Sequence, residues 1–312
     1  MRRLAVVIAL VLLAWPAASR ASAEAPDPAL VALGQQLFFD SRVSRTGRVS
    51  CASCHQPDHG FSDPRRFSPD ADGRPSPRHT PTIVGRRFGH WQGWSGRNGS
   101  IEEQVLTEPN FGDAARLARL GNLPGYRRQF EALLGGPPTP GRVAVAIAAY
   151  VRAVVSTDAP YDRFVAGDAG ALTPAARRGL SLFTGRALCV VCHKGDQFTD
   201  EGFHNLGVGT DGPSPDPGRA EVYGNPEDWG AFKTPTLRDV ARRGPYMHDG
   251  SLPTLEAVVA FYDRGGIANR RLSTQLRPLH LTPEEQRDLV AFLEALTGRI
   301  DPALGRMPEL PD

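Results

Sequence analysis

Cysteine and methionine are scarce in this chain. Its 312 residues include four Cys and three Met. Long apolar runs are scarcer still. The one clear run, Leu4 to Ala14, is eleven residues, and a bilayer span needs about 20. No later segment is apolar enough over that length. An excess of charge is also missing: the formal net charge is +2, which gives no reason to expect a nucleic-acid partner. Proline and glycine, by contrast, are abundant at 28 and 33 residues, so few strands and long ordered loops are expected.

The cysteines are not scattered. They form Cys51-Ala52-Ser53-Cys54-His55 and Cys189-Val190-Val191-Cys192-His193. Each is Cys-x-x-Cys-His, the attachment signature of a c-type haem. Two thiols three positions apart can form thioethers to the two vinyl groups of one porphyrin. The following His then reaches the iron from one side. A lone Cys-x-x-Cys could be a redox disulfide or half a zinc site. Two copies, each followed at once by His, point to two covalently bound haems. A zinc site made of all four cysteines would leave both histidines unexplained.

The N-terminus reads as a signal peptide over residues 1–23. Arg2 and Arg3 precede the apolar run, and Ala21-Ser22-Ala23 is a small-residue cleavage site. The mature chain is expected to start at Glu24 and to be periplasmic, which suits haem attached after export. About 290 mature residues fit two domains of roughly 100–200 residues each.

The two halves look alike. Gly34-Gln35-Gln36-Leu37-Phe38 precedes the first motif, and Gly179-Leu180-Ser181-Leu182-Phe183 the second. Phe61-Ser62-Asp63 and Phe198-Thr199-Asp200 follow them at almost equal distances. The fold class expected is mainly α, with two cytochrome c-like haem domains related by internal duplication. The first covers 24–167 and the second 168–312, with the boundary near Gly167. Asp27 and Pro28 open one helix, and Leu30, Leu33 and Leu37 share a face. Thr173-Pro174 opens its counterpart. Val143, Ile147, Tyr150, Val151 and Val154 form a helical stripe. Thr282, Pro283 and Glu285 form a capping-box start. Leu289, Phe292, Leu293 and Leu296 follow it, and Gly298 is the expected stop. Gly202 to Gly230 reads as one long loop.

Haem function depends heavily on the ligand opposite the proximal His. After the leader only Met247 and Met307 remain, both in the second half. The first half offers His59, His79 and His90, which read as surface or propionate-contacting residues. Its iron is therefore expected to be open, as peroxide binding requires. The second half offers Met247, His248, Tyr262, His204 and His280.

At this point the residues resemble those of the bacterial di-haem cytochrome c peroxidases and their MauG-like relatives. The likeness runs through Leu37-Phe38-Phe39-Asp40, Pro81-Thr82-Ile83, Trp94-Ser95-Gly96-Arg97, Glu103-Gln104, Phe232 to Arg238 and Pro245 to Gly250. The resemblance implies that the first haem reacts with hydrogen peroxide on His55, and that the second, on His193, admits electrons. It implies Trp94 as the relay between them, Gln104 as an amide beside the peroxide, and His248 as a propionate contact. Tyr262 falls where peroxidases of this family have an axial Met and MauG-like members a Tyr. The resemblance therefore implies Tyr262 as the second haem's sixth ligand, with Met247 as rival.

Two departures stand out. The family's distal acid/base Glu aligns with Asn110, which cannot shuttle protons, so Glu108 is the alternative. The family's calcium ligand position holds His79. Calcium prefers oxygen, which leaves backbone carbonyls near Arg243 and Pro245 as its remaining ligands. The function expected is peroxide-dependent oxidation, with a small cytochrome c or cupredoxin as donor. Oxidative modification of a partner protein's Trp or Tyr is the MauG-like version. A non-enzymatic di-haem carrier is the competing class.

Overall fold

The computed structural model describes residues 25–312 apart from positions 211 and 213. The signal-peptide reading lies outside the described residues. Ten α-helices appear among them: α1 (Pro28–Phe39), α2 (Ile101–Leu106), α3 (Ala114–Ala118), α4 (Pro124–Leu134), α5 (Pro140–Ala153), α6 (Pro160–Val165), α7 (Pro174–Thr184), α8 (Ala220–Tyr223), α9 (Leu255–Asp263) and α10 (Pro283–Glu294). Two three-residue strands, β1 (Phe203–Asn205) and β2 (Ala231–Lys233), pair antiparallel with Phe203 opposite Lys233. The fold is mainly helical, and no described helix is long and apolar enough to cross a membrane.

Side-chain caps set the helix starts. Asp27 accepts from Ala29 N at 2.8 Å, Thr173 from Ala176 N at 3.1 Å, and Thr282 from Glu285 N at 3.3 Å. Each satisfies an otherwise unpaired N–H of a first turn. Two expectations need correction. Helix α10 stops at Glu294 rather than near Gly298. Gly298 instead lies where an added Cβ would meet Thr157 O at 2.5 Å, because Thr157 and Arg299 bridge backbones there. Nor is 202–230 one loop. It contains β1 and α8 and leads directly into β2, where Thr234 N and Gly202 O close the strand pair at 2.9 Å.

Each Cys-x-x-Cys-His motif follows one helix and precedes the helix packed against it. These are α1 with α5, and α7 with α10. Both crossings depend on a glycine. A Cβ at Gly34 would lie 1.9 Å from Ala146 O, and one at Gly179 would lie 1.9 Å from Asp288 O. Only the absence of a side chain lets the backbones approach so closely. Around α1 and α5 the core contains Leu33, Leu37, Phe38, Ile147 and Tyr150. Around α7 and α10 it contains Phe183, Phe198, Leu289, Phe292 and Leu296. In the latter, Phe183 and Phe292 rings meet at 5.0 Å.

The last residues return to the first half. Gln35 donates to Ala303 O at 2.7 Å, Arg42 to Pro311 O at 2.8 Å, and Tyr150 OH to Leu304 O at 2.5 Å.

Candidate haem-binding and peroxide site

Residues of both Cys-x-x-Cys-His motifs line one cavity of about 500 Å³. In each motif the chain turns back so that a carbonyl meets the histidine. His55 Nδ1 lies 3.2 Å from Phe61 O, and His193 Nδ1 lies 2.9 Å from Phe198 O. Phe61 and Phe198 make these turns with φ of 55° and 51°, a left-handed conformation uncommon outside glycine. A carbonyl only accepts, so each Nδ1 carries the proton and each Nε2 keeps its lone pair. A carbonyl that accepts from the far ring nitrogen in this way fixes the tautomer of a metal-ligating histidine. Burial also keeps both rings neutral. It lowers the pKa of His55 and brings that of His193 down to about 4.

No disulfide joins the four cysteines. Burial pushes Cys51 and Cys189 up to about 12 and Cys192 to about 11. These are protonated thiols rather than the electropositive, activated kind found at exchange sites. A further fit to haem comes from Arg243, which borders the cavity. Its Nε is buried with no protein partner, and burial brings its pKa down to about 10. Its Nη2 donates to Thr236 O, but no carboxylate pairs with it among the described residues, and a buried cation favours an anion such as a haem propionate. The residues present therefore fit two haems.

The wall between the motifs is cross-linked by residues of both halves. Trp94 is half-buried and lines the cavity. Its indole Nε1 donates to His79 O at 2.8 Å, and its own carbonyl accepts from Lys233 N at 2.8 Å. His79 N in turn donates to His248 O at 2.7 Å. The His248 ring stacks on Phe232 at 3.5 Å and meets Trp94 edge-on at 6.5 Å. Burial, more than its charged neighbours, brings His248 down to about 4.

On the first-motif side, Gln104 and Glu108 border the cavity together. Asn98 Nδ2 donates to Gln104 Oε1 at 2.8 Å, which leaves the Gln104 amide N–H₂ free to face Glu108. The Glu108 residue as a whole is open to solvent, but its carboxyl sits in dense surroundings. That burial raises its pKa, and the hydrogen bond with Gln104 partly offsets the rise. Asn110 has another task. Its side-chain oxygen accepts from Ala71 N at 2.8 Å.

His79 is buried, with Nε2 at 3.2 Å from Ser62 Oγ and Nδ1 at 3.2 Å from the carbonyls of Arg65 and Arg66. Its ring is committed to these partners, and the Arg243 guanidinium acts on it electrostatically. Ring nitrogens beside a buried cation do not fit calcium, which takes oxygen ligands. On the second-motif side, Tyr262 and Met247 both border the cavity. Burial raises the Tyr262 phenol, with Cys189 and Cys192 adding to the effect.

Sequence reasoning missed Asn98, the Arg243 side chain, Phe232 and Lys233. Lys233 is buried, 3.3 Å from Glu201, and burial brings it down to about 8. Asn98 lies six residues before Gln104, within reach of a local reading. The others act across the two halves, and no spacing signals that.

Two Cys-x-x-Cys-His motifs on one cavity, with a buried guanidinium on its wall, define a di-haem oxidoreductase. The comparisons with known proteins agree. A family model described as di-haem cytochrome c peroxidase matches residues 28–170. The chain is 41% identical to the methylamine utilization protein MauG of Methylorubrum extorquens, over 91% of this chain and 82% of that one. It is 38% identical to the cytochrome-c peroxidase IdrP1 of Denitromonas iodatirespirans, over 90% and 84%. Among solved structures, a MauG-like protein associated with microbial copper homeostasis superposes with a TM-score of 0.85 at 32% identity, covering 91% of this chain and 94% of that one. The chain belongs to the di-haem cytochrome c peroxidase and MauG family, and it is a peroxidase-class enzyme.

Proposed function

We propose that this is a periplasmic enzyme with two covalently attached haems, reacting with hydrogen peroxide in the first half and taking up electrons in the second. When bound, the haems supply peroxide reduction on the His55 side and electron storage on the His193 side. Cys51 and Cys54 hold the first haem, and Cys189 and Cys192 the second. Each half, 24–167 and 168–312, acts as one cytochrome c-like unit. The matched helix pairs, glycine crossings and left-handed Phe turns support an origin by duplication.

Trp94 is the conducting side chain between the two sites, held at its indole by His79 O and at its backbone by Lys233 N. His248, neutral and stacked on Phe232, offers a hydrogen bond to a propionate. Arg243 supplies that carboxylate's counter-charge. Gln104 presents its amide beside the peroxide. Glu108 takes the proton from the near peroxide oxygen and returns it to the leaving one, replacing the acid absent at Asn110. The observation that carries this reading is the pairing of Gln104 with Glu108 on the cavity wall of the first motif.

Tyr262 and His193, both on the cavity wall, would together hold the second haem. A phenolate is a hard anionic donor that favours ferric iron, whereas a thioether favours ferrous iron. That choice favours a second reading within the same chemistry, in which the oxidised protein draws electrons from Trp or Tyr residues of a bound protein. A small cytochrome c or cupredoxin is the donor in the simpler peroxidase cycle.

Low-temperature EPR of the oxidised holoprotein tests the proposal. The expected result is one high-spin and one low-spin ferric signal, both lost on adding stoichiometric peroxide. Two low-spin signals indifferent to peroxide would assign the chain to electron carriage instead.

A further inference from the structure

Between Asp263 and Glu284 the chain has no acidic residue and four arginines: Arg264, Arg270, Arg271 and Arg277. The segment folds as a closed loop. Leu279 N donates to Asp263 O at 2.9 Å and so ties its ends, and Gly265 backs directly onto Arg277 and Pro278. Arg264 and Arg277 are thereby brought together at the neck. The loop is built against the second motif. Gln275 Oε1 lies 2.9 Å from Cys192 Sγ, and Ser273 and Leu276 form part of the cavity wall.

The charges on its outer side are not neutralised from within. Arg264, Arg270 and Arg277 are exposed and make no ion pair among the described residues, although Arg277 also borders the cavity. Glu227, the acid near Arg270, is taken by Arg271. Glu285 is taken by Arg186, and Asp263 accepts from Leu281 N and Gln286. Asp200, beside Cys192, is taken by His204 at 3.2 Å, and Lys194, in the same stretch, is exposed. Two apolar side chains of the same segments are exposed: Val191, inside the second motif, at 40%, and Ile267, in the loop, at 36%. The chain as a whole is nearly neutral, so this face is a local concentration of positive charge and not a general property.

We infer that the 264–279 loop and the edge of the second motif form the docking face for an acidic electron-carrier protein. Val191 and Ile267 supply the apolar contact, and the arginines steer and orient the partner. Unpaired rim charges act chiefly on encounter rate and salt dependence, and such steering raises association about 10- to 1,000-fold. The inference rests on the reading of the second site as the point of electron entry. It adds the sign of the partner's charge and the surface that recognises it.

The test uses holoprotein, an acidic plastocyanin and a basic cytochrome c of similar size. Binding is followed by NMR line broadening of the ¹⁵N-labelled, reduced carrier at low and high salt. Peroxide-driven oxidation of each carrier is followed in parallel. The expected result is binding of plastocyanin at least about tenfold tighter than of the basic cytochrome at low salt. That preference should vanish at high salt and in the R264E/R270E double variant. Charge-independent binding, or an unchanged double variant, would overturn the docking face. Salt-sensitive binding without oxidation of either carrier would keep the face and overturn the electron-entry reading. Oxidation indifferent to salt and to the double variant would do the reverse.

Discussion

At Tyr262 the proposed reading has a phenol as haem ligand, where a thioether would favour the other oxidation state of iron. Burial raises that phenol's pKa, so its proton leaves only when a metal replaces it. Exchange of Tyr262 for Met is expected to change the second haem's optical spectrum and raise its potential. Spectroelectrochemistry reads both, and an unchanged spectrum would remove Tyr262 from the ligand set. Glu108 and Asn110 separate chemistry from architecture. Glu108→Gln is expected to slow the reaction with peroxide by about 10²- to 10⁴-fold, the usual worth of a positioned proton shuttle, in stopped-flow mixing. Asn110→Ala keeps that rate within a few-fold and costs about 1 kcal/mol through the lost bond to Ala71 N, read by denaturant unfolding. The pH dependence has a definite sign. Burial raises the Glu108 carboxyl, so the base form is lost at a higher pH than for a free Glu, which titrates near about 4.3. The peroxide rate should fall as pH drops through that raised value, and Glu108→Gln should abolish this limb of the profile.

The helices were readable because their signals are local. Asp27, Thr173 and Thr282 cap the helices they were expected to cap, and the stripe from Val143 to Val151 is buried along α5. Short elements were lost where the signal is not local. β1 and β2 are three residues each, and each exists only because the other lies beside it. The stop of α10 was misplaced because Gly298 serves the Thr157–Arg299 bridge, which is remote in sequence. Gly34 and Gly179 carry the testable consequence at this scale. Alanine at either position must push α1 from α5, or α7 from α10, and should cost about 1–3 kcal/mol as other overpacked sites do. Thermal unfolding of Gly34→Ala and Gly179→Ala measures it. A loss confined to a few tenths would show that the helices slide apart freely.

Across the whole molecule, the two halves are joined at the cavity wall and again by the C-terminal segment. The first junction runs from His248 to His79, then to Trp94 and Lys233, crossing between the halves at its first and last steps. The second places Ala303 to Pro311 on α1, Arg42 and Tyr150. Truncation after Ile300 removes these bonds, each worth roughly 1 kcal/mol. A loss of a few kcal/mol on denaturant unfolding is expected, with the α1–α5 half loosening first. Hydrogen exchange would locate the loss, and unaltered protection of α1 would refute the bracing role.

The sequence by itself determined the chemistry and most of the helices, because both are written in short spacings. Cys-x-x-Cys-His needs only five consecutive residues, and a capped amphipathic helix needs about three turns. The Phe that turns the chain back onto each histidine could be seen as a repeat, though not as a left-handed residue. Only the tertiary structure decided which side chains share a wall. It turned Asn110 toward Ala71 and left Glu108 with Gln104, committed His79 to Ser62 and two carbonyls, and buried Arg243 with its Nε unpaired. It also folded four arginines into a loop over Cys192. Most of these depend on separate segments meeting at a cavity, with Asn110 and Ala71 39 residues apart and His79 and Ser62 17, or on a loop closing over it, and no local spacing encodes either.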